Sequence, residues 1–141
     1  MEKMQTITLV KGGLTEVWDC FTMPAHIVGW NFASEDWYCP TAKNDLKPGG
    51  RFSYRMASVD GCMGFDFEGT FTDIQTGKLL KYKLDDGREV EIHFNEKESG
   101  TEIVQRFEPE QINDLDLQQK GWQAILDNFK KYTEGKIDST L

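Results

Sequence analysis

The chain has 141 residues, and its 24 acidic and 16 basic side chains give a formal net charge of −8. This length suits one domain, and we predict a single domain over residues 1–141 with an ordered core of about 5–134. So acidic a chain lacks the concentrated basic face that nucleic acids and anionic membranes require, which argues against both as partners.

The cysteines and the apolar runs exclude further classes of protein. There are three cysteines, an odd number, and no Cys-x-x-Cys pair occurs, so we predict neither a disulfide framework nor a zinc site. No apolar run resembles a signal peptide or reaches the length of a membrane-spanning helix. We therefore expect a cytoplasmic protein without membrane insertion.

The first third of the chain predicts one strand and two short helices. Loosely alternating apolar residues favour a strand over residues 5–11. The apolar spacing within residues 14–21 is typical of one face of a short helix. Pro24 suits the first turn of a second short helix. A less regular segment follows over residues 31–47.

Five turn signals divide the middle of the chain into alternating segments. Each contains glycine, the residue that tight reversals and positive φ favour. They are Pro48-Gly49-Gly50, Asp60-Gly61, Thr76-Gly77, Asp86-Gly87 and Ser99-Gly100. Between the turns, apolar and polar residues alternate, as with Phe65 and Phe67 on one side of a strand and Asp66 on the other. This period of two predicts an antiparallel sheet with one apolar face and one solvated face.

A long C-terminal helix is predicted to begin near residues 112–113. From Leu115 to Tyr132, apolar residues recur every three or four positions, with Trp122 in the middle. About twenty residues of helix form a rod of roughly 30 Å. A long helix across a curved sheet can enclose a cavity, which favours ligand binding over catalysis.

The order of these elements, together with particular residues, resembles the START-like superfamily, also called SRPBCC or helix-grip proteins. Within it, the chain is similar to the branch named after activators of the heat-shock protein 90 ATPase. The residues that carry the resemblance are Val17-Trp18, Phe21, Trp30, Asp45 with Pro48-Gly49-Gly50-Arg51-Phe52, Asp60-Gly61, Gly69-Thr70-Phe71, Gly100-Thr101 and Gly121-Trp122-x-x-Ile125-Leu126-x-x-Phe129. The resemblance covers about residues 5–134. It implies an α+β helix-grip fold: a curved antiparallel sheet of about seven strands wrapped on a long C-terminal helix, with two short helices after strand 1.

This fold hosts lipid carriers, hormone receptors, aromatic cyclases and co-chaperones, so the resemblance implies several functions. Periodicity alone favours a solid core for the aromatic residues, whereas members of the family commonly keep a cavity between sheet and helix. Tyr54, Tyr82 and Gln105 add hydrogen-bonding groups on the apolar face, for which a ligand could supply partners. The leading prediction is therefore binding of a small hydrophobic or amphipathic molecule, such as a lipid, in that cavity, without catalysis or cofactor. The candidate ligand-binding residues are Trp30, Phe52, Tyr54, Met56, Phe65, Phe67, Tyr82, Phe94, Gln105, Trp122, Ile125 and Phe129.

Two alternatives remain open. One is a co-chaperone-type protein of the stress response that binds heat-shock protein 90 and modulates its ATPase; activators of that kind carry an additional N-terminal domain, which 141 residues do not hold. The other is an aromatic-cyclase-like enzyme. That chemistry needs several acid–base groups converging in the cavity, and the sequence offers Tyr54, Tyr82 and one histidine at most.

We predict no catalytic residue and no metal site. Nucleophilic catalysis needs a serine or cysteine with a base and a third, orienting group; the histidines are His26 and His93, and His26 lacks the third partner. Glu89, Glu91 and His93 alternate on one strand and could hold a divalent ion. Because their neighbours along the strand are apolar and take the core face, we predict that these three residues face solvent.

Overall fold

The alternating segments in the middle of the chain form a curled antiparallel sheet. The computed structural model describes residues 3–139, and the sheet within them has eight strands. They are β1 (Met4–Val10), β2 (Trp37–Tyr38), β3 (Ala42–Asn44), β4 (Arg51–Ser58), β5 (Gly64–Gln75), β6 (Leu79–Leu84), β7 (Glu89–Lys97) and β8 (Gly100–Phe107). Seven strands follow the order β1-β8-β7-β6-β5-β4-β2, and the short β3 pairs with β4 off this path.

Three helices complete the fold. Two short ones, α1 (Leu14–Thr22) and α2 (Pro24–Ile27), follow β1, and the long α3 (Leu115–Ser139) follows β8. The predicted α+β helix-grip fold is confirmed.

Glycines stand where the chain reverses between strands. Each of the five predicted turns contains a glycine with positive φ, from 75° to 148°, a conformation that other residues adopt at a cost. Gly69 serves a different purpose, because it lies opposite Phe52 across the β4–β5 pair. A Cβ at Gly69 would lie 2.8 Å from the Phe52 ring, so the absence of a side chain lets that ring lie across β5.

The start of α3 is set by an N-terminal cap. The helix begins at Leu115, slightly later than the predicted start at residues 112–113. The Asp114 carboxylate accepts hydrogen bonds from the backbone N–H groups of Asp116 (2.8 Å) and Leu117 (3.3 Å). These bonds satisfy donors that have no partner within the first helical turn.

The end of α3 lies beyond the predicted boundary of the ordered core at residue 134. The helix continues to Ser139, while residues 140–141 lie outside the described part of the chain. Ile137 accounts for the extension, because its side chain packs directly on Gly12; a Cβ on that glycine would lie 2.3 Å from Ile137 Cδ1.

The free edge of β1 is covered by side chains of α3. Gln123 donates to the carbonyl of Ile7 (3.1 Å) and accepts from its N–H (3.4 Å). Lys130 donates to the carbonyl of Leu9 at 2.6 Å. Unpaired strand edges invite pairing with other chains, so these bonds both protect the edge and hold α3 beside it.

One part of the core, here called the packed half, lies where α1 contacts α3, β7 and β8. Phe129 of α3 is fully buried, and its ring lies 5.0 Å from that of Phe21 and 4.9 Å from that of Trp30. Phe94 of β7 contacts Phe21 at 5.4 Å and Trp18 at 4.9 Å. Side chains from three layers thus fill this half of the core.

Candidate ligand-binding site

A cavity of about 410 Å³ lies between the sheet and the N-terminal half of α3. Inward-facing side chains of β4, β5 and β6 form its floor, beyond the strands that α1 covers. Trp122 and Ile125 of α3 line the opposite side. The volume falls within the roughly 300–1,000 Å³ typical of small-molecule pockets. We call this region the cavity half of the core.

Most of the residues predicted to bind ligand meet around this cavity. Ten of the twelve line it: Trp30, Phe52, Tyr54, Met56, Phe65, Phe67, Tyr82, Gln105, Trp122 and Ile125.

The other two, Phe94 and Phe129, do not line the cavity and belong to the packed half. The reason is that α1 places Trp18 and Phe21 between sheet and helix at that end. Periodicity identifies the apolar face of a strand or helix, but it does not show which part of that face a third element covers.

Further lining residues were not predicted from the sequence. Several belong to segments without clear periodicity, before β4 and between β8 and α3. They are Phe21, Thr22, Asn31, Ala33, Leu46, Phe71, Leu80, Arg88, Glu110, Asn113, Leu117, Gln118 and Gly121. A signal existed for Arg88, because extending the alternation of β7 backward from Val90 places Arg88 on the apolar face.

Aromatic rings form the wall of the cavity. Trp122 stacks on Phe107 with a centroid distance of 4.2 Å and an interplanar angle of 8°, and it reaches Phe67 at 6.0 Å. Phe52 contacts four rings at centroid distances of 4.9–6.0 Å. These rings belong to Tyr54, Phe67, Phe71 and Tyr82. A flat apolar group could therefore contact ring faces and edges on several sides.

Two phenols interrupt this apolar wall. The Tyr54 hydroxyl accepts a hydrogen bond from Asn44 Nδ2 at 3.1 Å, and burial raises the pKa of Tyr54 to about 12. Tyr82 is only 8% exposed, and burial raises the pKa of its phenol still further above the ordinary value. Within residues 3–139, no group donates to or accepts from the Tyr82 hydroxyl. Both phenols thus remain protonated at neutral pH and available as donors.

Charged side chains lie at two places in the lining. Arg88, at the turn between β6 and β7, donates from Nε to Asp86 Oδ2 at 2.8 Å. Glu110, in the connection between β8 and α3, accepts from the backbone and side-chain N–H groups of Asn113. These are the charged members of the lining formed by the described residues.

Gln118 explains the polar gap in the apolar stripe of α3. Its amide oxygen accepts from the Glu110 N–H at 2.8 Å, and its amide nitrogen donates to the carbonyls of Glu110 (3.1 Å) and Asn113 (2.9 Å). Gln118 is 9% exposed, so this buried amide fixes the connection before α3. The loop that forms one side of the cavity is therefore held in place by the helix.

The Glu89, Glu91 and His93 triplet lies on the opposite face of the sheet from the cavity. Glu91 is surrounded by cations, with Lys3, Lys81 and Arg106 at 3.9, 3.8 and 3.8 Å. Its side chain is 15% exposed, so cations cover much of a residue that was predicted to face water. Among residues 3–139, no group of three His, Cys, Asp or Glu side chains is placed to hold a metal ion.

A curled antiparallel sheet that grips a long C-terminal helix around a cavity defines a helix-grip domain of the START-like superfamily. The family described as Activator of Hsp90 ATPase homolog 1-like protein matches residues 14–134, and the chain belongs to this family. The predicted resemblance is confirmed at both levels.

Solved structures agree with this assignment. The chain is 40% identical to the AHSA1-like protein of Aeromonas hydrophila, with a TM-score of 0.90 over 95% of this chain and 93% of that one. It is 44% identical to a Cytophaga hutchinsonii protein, with a TM-score of 0.82 over 96% and 94%. A Nitrosomonas europaea protein at 17% identity shares the fold, with a TM-score of 0.83 over 97% of both chains. No curated protein matches the chain.

Of the helices within residues 3–139, none has the length and apolar character needed to cross a membrane.

Proposed function

We propose that this protein binds a small, mainly apolar molecule in the cavity between β4–β6 and α3 and does not transform it chemically. The observation that carries the proposal is the Tyr82 hydroxyl, which lines the cavity without a hydrogen-bond partner among the described residues. An apolar ligand in the cavity would remove this hydroxyl from water, which costs free energy unless the ligand also offers it a hydrogen bond. A ligand atom in the cavity would supply the missing bond. A cytoplasmic location is part of this proposal.

The size of the cavity supports the same function. Protein interiors are close-packed and keep few voids larger than a water molecule. A cavity of about 410 Å³ is therefore a costly feature for a chain of this size. Burying a ligand against Phe52, Phe67 and Trp122 would recover the contacts that these rings lack on their cavity side.

Catalysis receives less support from the lining. Neither histidine lines the cavity, and His26 Nδ1 is hydrogen-bonded to the Tyr132 hydroxyl at 2.9 Å, at the other end of α3. The raised pKa values of Tyr54 and Tyr82 make both phenols poor proton-transfer groups near neutral pH. The aromatic-cyclase-like alternative would need several converging acid–base groups, and besides the two phenols the lining formed by the described residues has one carboxylate, Glu110, which accepts hydrogen bonds from Asn113.

The family description favours one other candidate, an interaction with the heat-shock protein 90 chaperone that changes its ATPase rate. Exposed apolar side chains at the start of α3 and just before it offer a contact surface, with Ile112 at 92%, Leu115 at 55% and Leu117 at 63% exposure. The chaperone's ATPase rate, measured with and without this protein, tests it. An unchanged rate at saturating protein would argue against this candidate.

Binding to the cavity is tested with Phe67→Arg, which places a charge among the rings. The native protein should bind members of a panel of fatty acids, sterols and flavonoids saturably, with dissociation constants of about a micromolar. Phe67→Arg should abolish this binding, because a ligand would then have to share the cavity with a guanidinium.

The matched control is Thr72→Arg, which adds the same charge to an exposed position of the same strand. Circular dichroism establishes that both variants are folded. Saturable binding that survives in Phe67→Arg would place the ligand elsewhere, and no saturable binding to the native protein by any member of the panel would refute the proposal.

A further inference from the structure

Arg88 and Tyr82 share the cavity face of neighbouring strands. The N–H of Leu84 donates to the carbonyl of Arg88 at 2.8 Å, and Tyr82 pairs with Val90. Because alternate side chains of a strand point to the same face, Arg88 lies on the side of Tyr82 and Val90. Both Arg88 and Tyr82 line the cavity.

The Arg88 guanidinium has N–H donors without an acceptor among the described residues. It carries five N–H groups, and its bond to Asp86 uses the one on Nε. Within the described chain, its two terminal nitrogens meet no acceptor at hydrogen-bond distance, although the side chain is only 22% exposed. Two parallel N–H donors of this kind match the two oxygens of a carboxylate.

The neighbouring polar atoms are also donors. The Tyr54 oxygen already accepts from Asn44, so its O–H remains to donate. The Gln105 carbonyl oxygen accepts from the Thr6 hydroxyl at 3.1 Å, and in the described part of the chain its amide N–H groups have no acceptor. The Tyr82 hydroxyl, which has no partner among residues 3–139, is a third donor. A ligand that satisfies these groups must bring acceptor atoms.

Acceptors of the lining include Glu110, Asn31 and Asn113. One Glu110 carboxylate oxygen already receives two N–H bonds from Asn113. The Asn31 amide, 8% exposed, offers a donor and an acceptor alike. Of the two charged groups in the lining, Arg88 has terminal nitrogens without an acceptor among the described residues, whereas Glu110 already accepts two hydrogen bonds. This difference favours a ligand with acceptor oxygens over a ligand with an ammonium group.

We propose that the ligand is an apolar molecule ending in a carboxylate, an inference that rests on the proposed function. The two terminal nitrogens of Arg88 hold the carboxylate, and the Tyr82 hydroxyl donates to one of its oxygens. The apolar body of the ligand lies between the rings of Phe52, Phe67 and Trp122. Aliphatic and aromatic acids share this chemistry, so both are tested.

The experiment compares ligands that share an apolar body. Isothermal titration calorimetry of the native protein would use decanoate, methyl decanoate and decylamine, and then 1-naphthylacetate with its methyl ester. We expect at least one acid to bind about tenfold more tightly than its own ester, the effect of one charge-assisted contact. Decylamine should bind more weakly than decanoate.

Two variants then locate the contact. Arg88→Gln should lower acid affinity to that of the ester and leave ester affinity unchanged. Tyr82→Phe should weaken acid and ester alike, since both carry an acceptor oxygen. The control Arg55→Gln removes an equal charge from β4 on the opposite face, where Arg55 faces Asp66 at 3.4 Å, and should change nothing.

The outcomes separate this inference from the proposed function. If acid and ester bind equally to the native protein, or if Arg55→Gln weakens acid binding as much as Arg88→Gln, the Arg88 assignment is wrong while cavity binding stands. Tighter binding of decylamine would also overturn it. If no compound of either series binds the native protein, both the inference and the proposed function fail.

Discussion

The packed half and the cavity half of this core use the same kinds of side chain with opposite results. In the packed half, Phe129 and Leu126 of α3 are 0% and 2% exposed, and the Phe21 ring of α1 meets that of Phe129. In the cavity half, Trp122 and Ile125 of the same helix are half-buried and line an open volume. An apolar stripe thus becomes part of a solid core where a third element adds side chains. Where no third element does so, the same stripe becomes the wall of a cavity.

The cavity persists because α3 is held from its side and its start. Gln123 and Lys130 bind the backbone of β1, and Gln118 binds the loop before the helix. These polar bonds have directional requirements, so they fix the height of α3 above the sheet. Apolar contacts alone would not prevent the helix from closing on β4 and β5.

Of the substitutions in the two halves, Phe129→Ala in the packed half should lower the free energy of unfolding most. This change removes a fully buried ring that contacts Phe21 and Trp30, so the free energy of unfolding should fall by about 3–5 kcal/mol. Urea titration followed by circular dichroism measures the loss. A loss below about 1 kcal/mol would mean that this half is loosely packed as well.

Trp122→Ala should be less damaging although it removes a larger ring. The variant loses the stack on Phe107, but part of the ring already faces the cavity, so a loss of about 1–3 kcal/mol is expected. The same titration provides the comparison. A loss equal to that of Phe129→Ala would contradict the distinction between the two halves.

The smallest effects should come from the two phenols. Tyr54→Phe leaves the Asn44 amide without its Tyr54 partner and should cost about 0.5–1.5 kcal/mol. Tyr82→Phe removes a hydroxyl that has no partner among the described residues, so its unfolding free energy without ligand should stay within about 0.5 kcal/mol of native. Denaturation of the two variants side by side checks this, and equal losses would show that Tyr82 has a partner in the folded protein.

Local patterns in the sequence were sufficient for the order of the elements. Glycine at each reversal and the alternation in β4–β8 depend on neighbouring residues, and so they predicted the turns and the apolar face correctly. The same alternation brought Phe52, Phe67 and Tyr82 to the cavity wall. Both ends of α3 lie a few residues from their predicted positions. The reason is that helix ends depend on single side-chain contacts, here the cap at Asp114 and the packing of the last turn.

Which part of the apolar face stayed hollow was decided by tertiary structure. Phe94 and Phe129 have the same sequence pattern as Phe67 and Trp122, and they differ only in lying where α1 docks. Arg88 lies at a turn distant in sequence from α3, and the fold brings both into the lining of one cavity. Periodicity in the sequence reflects the environment of each strand or helix separately. A cavity depends instead on how the sheet, α1 and α3 pack together, and this packing is set by contacts between residues far apart in the chain.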